Sequence, residues 1–387
     1  MTVPKNVLPP AVAARQVPLL NLDAQMNPLR EEILRAITRI VDSKKFILGD
    51  EVRMVEEQLA QYCGARFAVG CASGSDALLL ALMAHGVGAG DEVLTVPFTF
   101  FATAGAIALA GAKPVLVDVE RDTFNIDLNR VEDALAKHAG IKAILPVHLY
   151  GGCVDMDGLN AIAGRHGLPV IEDAAQAIGA ECRGQRAGSM GSIGCFSFYP
   201  TKNLGAAGDG GMCTTNDEKL AARLRALRVH GRAGAAYYHD SIGLASRLDA
   251  IQAAILGVKL GSLDSWSDGR ARNADVYRSL FAESGAPVTP ADPGAHQTRH
   301  IYHQFAIRCE RDRDGLQKYL REQGVGCEVY YPVPIHQQPC FSYLGYREGD
   351  FPVSEELSRT VLSLPVYAEL TPPDIEYVVN RVRAFYA

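Results

Sequence analysis

At 387 residues the chain is too long for one ordinary core and suits two domains. Hydrophobic residues at 48% and charged residues at 21% are the balance of a globular protein in water, and a formal net charge of −6 supplies no overall basic field for a nucleic-acid partner. The first residues lack the apolar run of a secretion signal and no stretch reaches membrane-spanning length; nine scattered cysteines without a C-x-x-C pair point to no zinc cage and no disulfide framework, so a cytoplasmic protein without a metal is expected.

Residues 1–20 read as a mobile N-terminal arm. From Pro28, the apolar residues Leu29, Ile33, Ile37 and Ile40 keep helical spacing and predict an amphipathic helix, and Val52, Val55 and Leu59 predict a second. Short apolar strands are then expected at 67–71, 92–96, 114–117, 143–147, 169–171, 195–198 and 212–214. Most are separated by helix-length stretches such as 76–85, 99–109 and 156–166. That alternation predicts an α/β fold, a largely parallel sheet wrapped by helices. The last two strands lie close enough to pair as a hairpin. Arg223, Arg225 and Arg228 on the following helix read as a solvated face.

A stripe of Leu248, Ile251, Ile255 and Val258 opens a long helical region that runs toward Phe281 and links the two domains, with Trp266 packed within it. Beyond the Pro/Gly-rich stretch 286–295 come a strand at 302–308, a helix at 312–323 and helices near 354–362 and 374–385. These make a small α+β domain. The expected division is an arm at 1–20, a large domain at 21–246, linking helices at 247–285 and a small domain at 286–387.

Three segments carry chemistry. In Phe196-Ser-Phe-Tyr-Pro-Thr-Lys202 a lysine follows an apolar strand and enters a loop with glycines at 205, 208, 210 and 211. Partial burial there would lower its pKa and make it a nucleophile, although the residues alone leave an ordinary surface lysine open. The run from Leu168 to Gln176 reads as a buried strand that ends in Glu172 and Asp173. Ligands of parallel α/β sheets lie at such strand ends, where Asp173 could face a cationic ring nitrogen; the alternative is that both acids cap a helix. In the third segment, a strand runs into Ser73-Gly74-Ser75 and an Ala/Leu-rich helix begins. Free N–H groups at that helix start, with two hydroxyls, make a phosphate cradle or a plain N-cap. His300 and His303 could suggest a metal, but no third ligand accompanies them, and packing is the preferred reading. An anion seat, an acid for a ring nitrogen and a lysine for an aldehyde are the three fixed points of pyridoxal phosphate.

The chain closely resembles the DegT/DnrJ family of pyridoxal-phosphate-dependent sugar-nucleotide aminotransferases, of fold type I, from Val17 to the C-terminus. The motifs that carry the likeness are Pro97-Phe-Thr-Phe-Phe-Ala-Thr103, Pro146-Val-His-Leu-Tyr-Gly151, Ile171-Glu-Asp-Ala-Ala-Gln-Ala177, the run 196–211, Ser246-Arg-Leu-Asp249 and Tyr330-Tyr-Pro-Val-Pro-Ile-His336. The resemblance implies that Lys202 binds the cofactor's aldehyde, that Asp173 pairs with its pyridine nitrogen and that Gln176 lies near its 3-oxygen. It further implies that Phe100 stacks on the ring, that Gly74, Ser75 and Ser197 hold the phosphate, and that Tyr331 and His336 line the substrate mouth. Where the family usually has Asn before Ser-Arg-Leu-Asp, reaching across a homodimer to the partner's phosphate, this chain has Ala245, so that either Ser246 or water substitutes or the phosphate is held more weakly.

The form Lys202-Asn-Leu-Gly-Ala-Ala-Gly-Asp-Gly-Gly211 looks like the branch that aminates C3 of a keto sugar nucleotide. The implied reaction takes the amino group from L-glutamate, uses Lys202 as general base and acid, and follows ping-pong kinetics. Lipopolysaccharide or O-antigen synthesis is the implied setting. The competing readings are a C4-aminating enzyme, a cyclitol aminotransferase, a lyase, and a non-catalytic sensor that binds the cofactor.

Overall fold

The computed structural model describes residues 15–232, 234 and 237–387. Helices Arg30–Ser43 and Asp50–Cys63 bury Ile33, Ala36 and Ile40, and Val52, Val55 and Leu59, along one stripe each. That stripe packs both helices on Ala250–Leu260, the first of the linking helices. The long helical region is interrupted at Gly261 and Ser262, after which Leu263–Ser284 continues.

The central strands in chain order are Phe67–Cys71, Glu92–Thr95, Lys113–Leu116, Ile141–Ile144, Ile171–Asp173, Ile193–Ser197 and Gly211–Thr215. Parallel bridges Ile144–Val170 and Val147–Asp173 join a four-stranded and a three-stranded sheet into one surface. Its spatial order is 67–71, 211–215, 193–197, 171–173, 141–144, 92–95, 113–116. Every neighbouring pair is parallel except where 211–215 takes part, and that strand forms the expected hairpin with 193–197. Helix Gly74–Ala84 is apolar almost all round, and accordingly it is buried between the sheet and the helices Phe101–Leu109 and Glu218–Leu227. Helices and sheet together make a mixed α/β fold.

In the C-terminal part, Phe305–Cys309 pairs antiparallel with Val288–Pro290 and with Val361–Leu364. The last strand corrects the expected helix near 354–362, which stops at Thr360. Four buried residues in a row have no period that separates strand from helix. One apolar cluster runs from Leu94 and Phe98 through Tyr277 to Phe305 and Val379. Arg270 and Asn273, both buried on the second linking helix, reinforce that continuity. Arg270 Nη1 donates to the carbonyls of Tyr302, His303 and Val366 at 3.0, 3.3 and 2.6 Å, and Asn273 Nδ2 donates to that of Tyr367 at 2.7 Å.

Two further expectations need correction. Residues 15–20 are not a mobile arm, because Val17 is buried, its N–H donates to Gly324 O at 2.9 Å, and its carbonyl accepts from Gly326 N at 2.8 Å; residues 1–14 lie outside the described residues. Arg228 does not belong to a solvated face, unlike Arg223 and Arg225. It is 8% exposed, donates to Glu56 Oε1 at 2.5 Å and to Gly70 O at 2.8 Å, and so ties the second helix to the first strand.

Candidate active site

A cavity of about 520 Å³ opens at the carboxyl ends of strands 67–71, 171–173 and 193–197, where parallel α/β sheets bind ligands. Its wall brings together Gly74, Ser75, Phe100, Asp173, Gln176, Ser197, Lys202 and Tyr331, which the sequence draws from separate segments.

Ser73 is the N-cap of helix Gly74–Ala84 and its hydroxyl accepts from Asp76 N at 3.1 Å. Of the two serine hydroxyls, one is thus engaged and that of Ser75 is left for a ligand. The first N–H groups of the helix have no helical acceptor and aim at the cavity end. Gly74 is required by packing, since a Cβ there would lie 2.6 Å from Ser197 Cβ. Gly74→Ala is therefore expected to push the helix start from the strand end, lower stability by about 1–3 kcal/mol and weaken cofactor retention. Thermal unfolding with and without pyridoxal phosphate measures both, and unchanged retention would remove the cradle assignment.

Lys202 sits in a closed loop. Phe198 N donates to Gly210 O and Ala206 N to Phe198 O, both at 2.8 Å, and Lys202 N donates to Tyr199 O at the same distance. Gly205 is needed because a Cβ would approach Pro200 O to 2.3 Å. Three side chains pin the loop from outside: Asn203 Nδ2 to Ile301 O at 3.0 Å, Lys259 Nζ to Gly205 O at 2.5 Å, and Gln252 Oε1 accepting from Ala207 N at 2.9 Å. Burial pulls the Lys202 ammonium from its usual 10.5 down to about 8, and the charge of Asp173 opposes that shift.

Asp173 is buried. Its Oδ2 accepts from Thr103 Oγ1 at 2.8 Å, and its Oδ1 from Ala175 N at 3.2 Å. Thr103 uses its proton there, so the hydroxyl of Thr99, 2.9 Å away, donates to Thr103. Burial raises the Asp173 carboxyl, while these bonds, Lys202 and His148 hold it back.

Glu172, one residue earlier, points to the other face of the strand. It accepts from Gly188 N, Met190 N and Gly191 N at 2.7, 2.9 and 2.5 Å and meets His148 Nε2 at 2.9 Å. Val154 N donates to His148 Nδ1 at 3.1 Å, which leaves the proton on Nε2, facing Glu172. No helix follows Asp173, so neither acid is a helix cap. Glu172→Ala would orphan these buried donors and should cost about 3 kcal/mol or more in urea denaturation.

His303 was set aside in the sequence with His300, yet it lines the cavity. Its Nδ1 donates to Asn203 Oδ1 at 3.1 Å, and burial holds the ring neutral. His300 lies apart, its ring tilted against that of Tyr302 with centroids 4.1 Å apart, and burial pulls it down to about 3. The left-handed φ of 43° at Tyr302 turns the chain between them, and no strand period reveals that turn. Thr103 was likewise missed, although it stands in the first turn of helix Phe101–Leu109 and its hydroxyl lies 2.9 Å from that of Thr99, just before the helix. Tyr331 lies within 2.8 Å of Gln176 and its ring centroid is 6.0 Å from that of Phe100.

His336 is not among the cavity-lining residues. Its ring is buried against Phe351, and its Nε2 lies 3.0 Å from Glu355 Oε1, which also accepts from Gly349 N. Glu355, far along the chain in a helix, captures the ring that the resemblance placed at the mouth. Ser246 is also engaged: its hydroxyl accepts from Ala72 N at 3.1 Å.

The family described as "DegT/DnrJ/EryC1/StrS aminotransferase family" matches residues 27–383. A protein of Geobacillus stearothermophilus named "Pleiotropic regulatory protein" is 49% identical, over 96% of this chain and 98% of its own. A protein of Acidithiobacillus ferrooxidans named as a UDP-N-acetyl-3-dehydro-alpha-D-glucosamine 3-aminotransferase is 45% identical, over 95% and 97%. Among solved structures, that of DesV from S. venezuelae in complex with a ketimine intermediate superposes with a TM-score of 0.91 at 42% identity, covering 95% of this chain and 98% of that one.

Proposed function

The chain belongs to the DegT/DnrJ/EryC1/StrS aminotransferase family, and from that premise we propose that it transfers an amino group to C3 of a keto sugar carried on a nucleotide. It is a pyridoxal-phosphate-dependent transaminase. The observation that carries the reading is the meeting of Lys202, Asp173 and the N-terminus of helix Gly74–Ala84 around one cavity. The cavity also fits the cofactor on a finer point, because one end of the buried Gln176 amide in its wall has no partner among the described residues.

Pyridoxal phosphate supplies an aldehyde that captures amines and a pyridinium ring that takes up an electron pair. The helix start, Ser75 and Ser197 would hold its phosphate, Phe100 would cover the ring, and the carboxylate of Asp173 would keep a proton on the ring nitrogen. Lys202 Nζ would hold the aldehyde carbon at rest. As a free amine it would take the proton from the α-carbon of the amino donor and return it to the carbon on the far side of the shared nitrogen, a task for which a lysine held near 8 is suited. Tyr331 would stand at the substrate side.

We take L-glutamate as the donor, the cytoplasm as the site and cell-surface polysaccharide synthesis as the setting. The proposed homodimer is supported by large apolar side chains that stand exposed, Ile47, Tyr237 and Ile242 among them. Among the described residues no helix is long and apolar enough to cross a membrane. The proposed division of the chain remains 21–246, 247–285 and 286–387. A non-catalytic sensor would need no proton-moving lysine beside a ring-facing acid.

The visible spectrum of the loaded protein tests the reading. L-Glutamate should bleach the band, and a 3-keto sugar nucleotide, but not a 4-keto one, should restore it. A band indifferent to every amino donor would overturn the reading.

A further inference from the structure

Gln176 and Tyr331 form a pair whose hydrogen-bond sense is not fixed by atom positions alone. Gln176 Nε2 lies 2.8 Å from the Tyr331 hydroxyl, and Gln176 Oε1 is then buried with no partner. An unpaired buried carbonyl oxygen is costly. The two ends of an amide are interchangeable at the level of heavy atoms. Turned by half a revolution, Oε1 accepts the Tyr331 proton, and the amide N–H group takes the unpartnered place in the cavity wall. Burial keeps Tyr331 protonated, well above its usual range, so it is a standing donor. Phe98 and Phe100 hold its ring at centroid distances of 6.4 and 6.0 Å.

We propose that Tyr331 is a positioning residue: its hydroxyl donates to Gln176 Oε1 and so aims the Gln176 amide N–H at an anionic oxygen on the cofactor ring. The inference rests on the reading that Gln176 lies near the cofactor's 3-oxygen. An anionic oxygen needs a donor, and an amide set with its oxygen outward would repel it. Tyr331 thus fixes which end of Gln176 the cavity presents, a role different from lining the substrate mouth.

The experiment reads the pH midpoint of the visible band of the loaded protein, without substrate, in Tyr331→Phe, Gln176→Ala and the double variant. Borohydride fixation and peptide mapping establish separately that each variant carries cofactor on Lys202. A donor to the ring oxygen takes over charge that otherwise holds a proton on the neighbouring nitrogen. Its loss should therefore raise the midpoint, by about one pH unit. The expected result is that both single variants shift it upward by similar amounts and that the double variant shifts it no further. If Gln176→Ala moves the midpoint and Tyr331→Phe does not, the relay is overturned while Gln176 keeps its place. If neither moves it although Lys202 still carries the cofactor, the placement of Gln176 fails and the relay with it. Tyr331→Phe keeps the ring and its packing, so a folding defect would not mimic either result.

Discussion

Lys202→Ala should leave a folded protein that retains no cofactor through borohydride reduction, and its transfer rate should fall by about ten-thousand-fold or more. The loss is this large because one amine performs two tasks, holding the aldehyde carbon and moving the proton. The result also discriminates between two lysines. Lys259 is buried too, and burial pulls it down to about 8, so acidity alone does not single out Lys202. Position does, since Lys259 donates to Gly205 O behind the loop and is not in the cavity wall. Mass mapping of the reduced adduct should find it on the peptide of Lys202 in the parent and nowhere in the variant. An adduct on Lys259 or any other lysine would sink the assignment. In the parent, cofactor uptake by the cofactor-free protein should quicken as pH rises through about 8 rather than 10.5, because the neutral amine is the reacting form.

The central sheet was legible because its strands are short apolar runs bounded by Gly, Pro and polar residues. The strand Val361–Leu364 was not, because four consecutive buried residues fit a helix end equally well. Residues 17–20 were read as part of an arm for a related reason: Val17-Pro-Leu-Leu is too short a run to show a period, and pairing with Val325 is what fixes Val17. Within the site, Lys202, Asp173 and Gly74 were legible because each stands at a junction between strand and loop or helix, where chemistry in α/β proteins collects. Thr103 and His303 act through partners 70 and 100 residues away, Asp173 and Asn203, and no local pattern records such a pairing. His336 shows the converse. Its placement at the mouth came from resemblance alone, and a hydrogen bond with Glu355 holds its ring against Phe351.

Asp173 should prove nearly as sensitive as Lys202, but through charge and not through a bond. A carboxylate facing the ring nitrogen is worth most when it is buried, since low polarity strengthens its hold on the proton there. The same burial opposes its ionisation, and the bonds from Thr103 and Ala175 N offset that penalty. Asp173→Ala removes the charge and strands the Thr103 hydroxyl. The half-reaction with L-glutamate, followed by stopped-flow bleaching, should slow by about 10²–10³-fold. Asp173→Glu keeps the charge at a displaced position and should lose much less. Equal rates in the two variants would remove the assigned role. Asp173→Asn separates charge from packing, because it keeps the volume and an acceptor for Thr103 yet cannot hold a proton on the ring. Its rate should fall with that of Asp173→Ala, while the cofactor-free protein should unfold no earlier than the parent, since the cost of burying a charge is removed and the acceptor for Thr103 is kept. Activity lost without stability lost is the signature of a group placed for the ring and not for the fold.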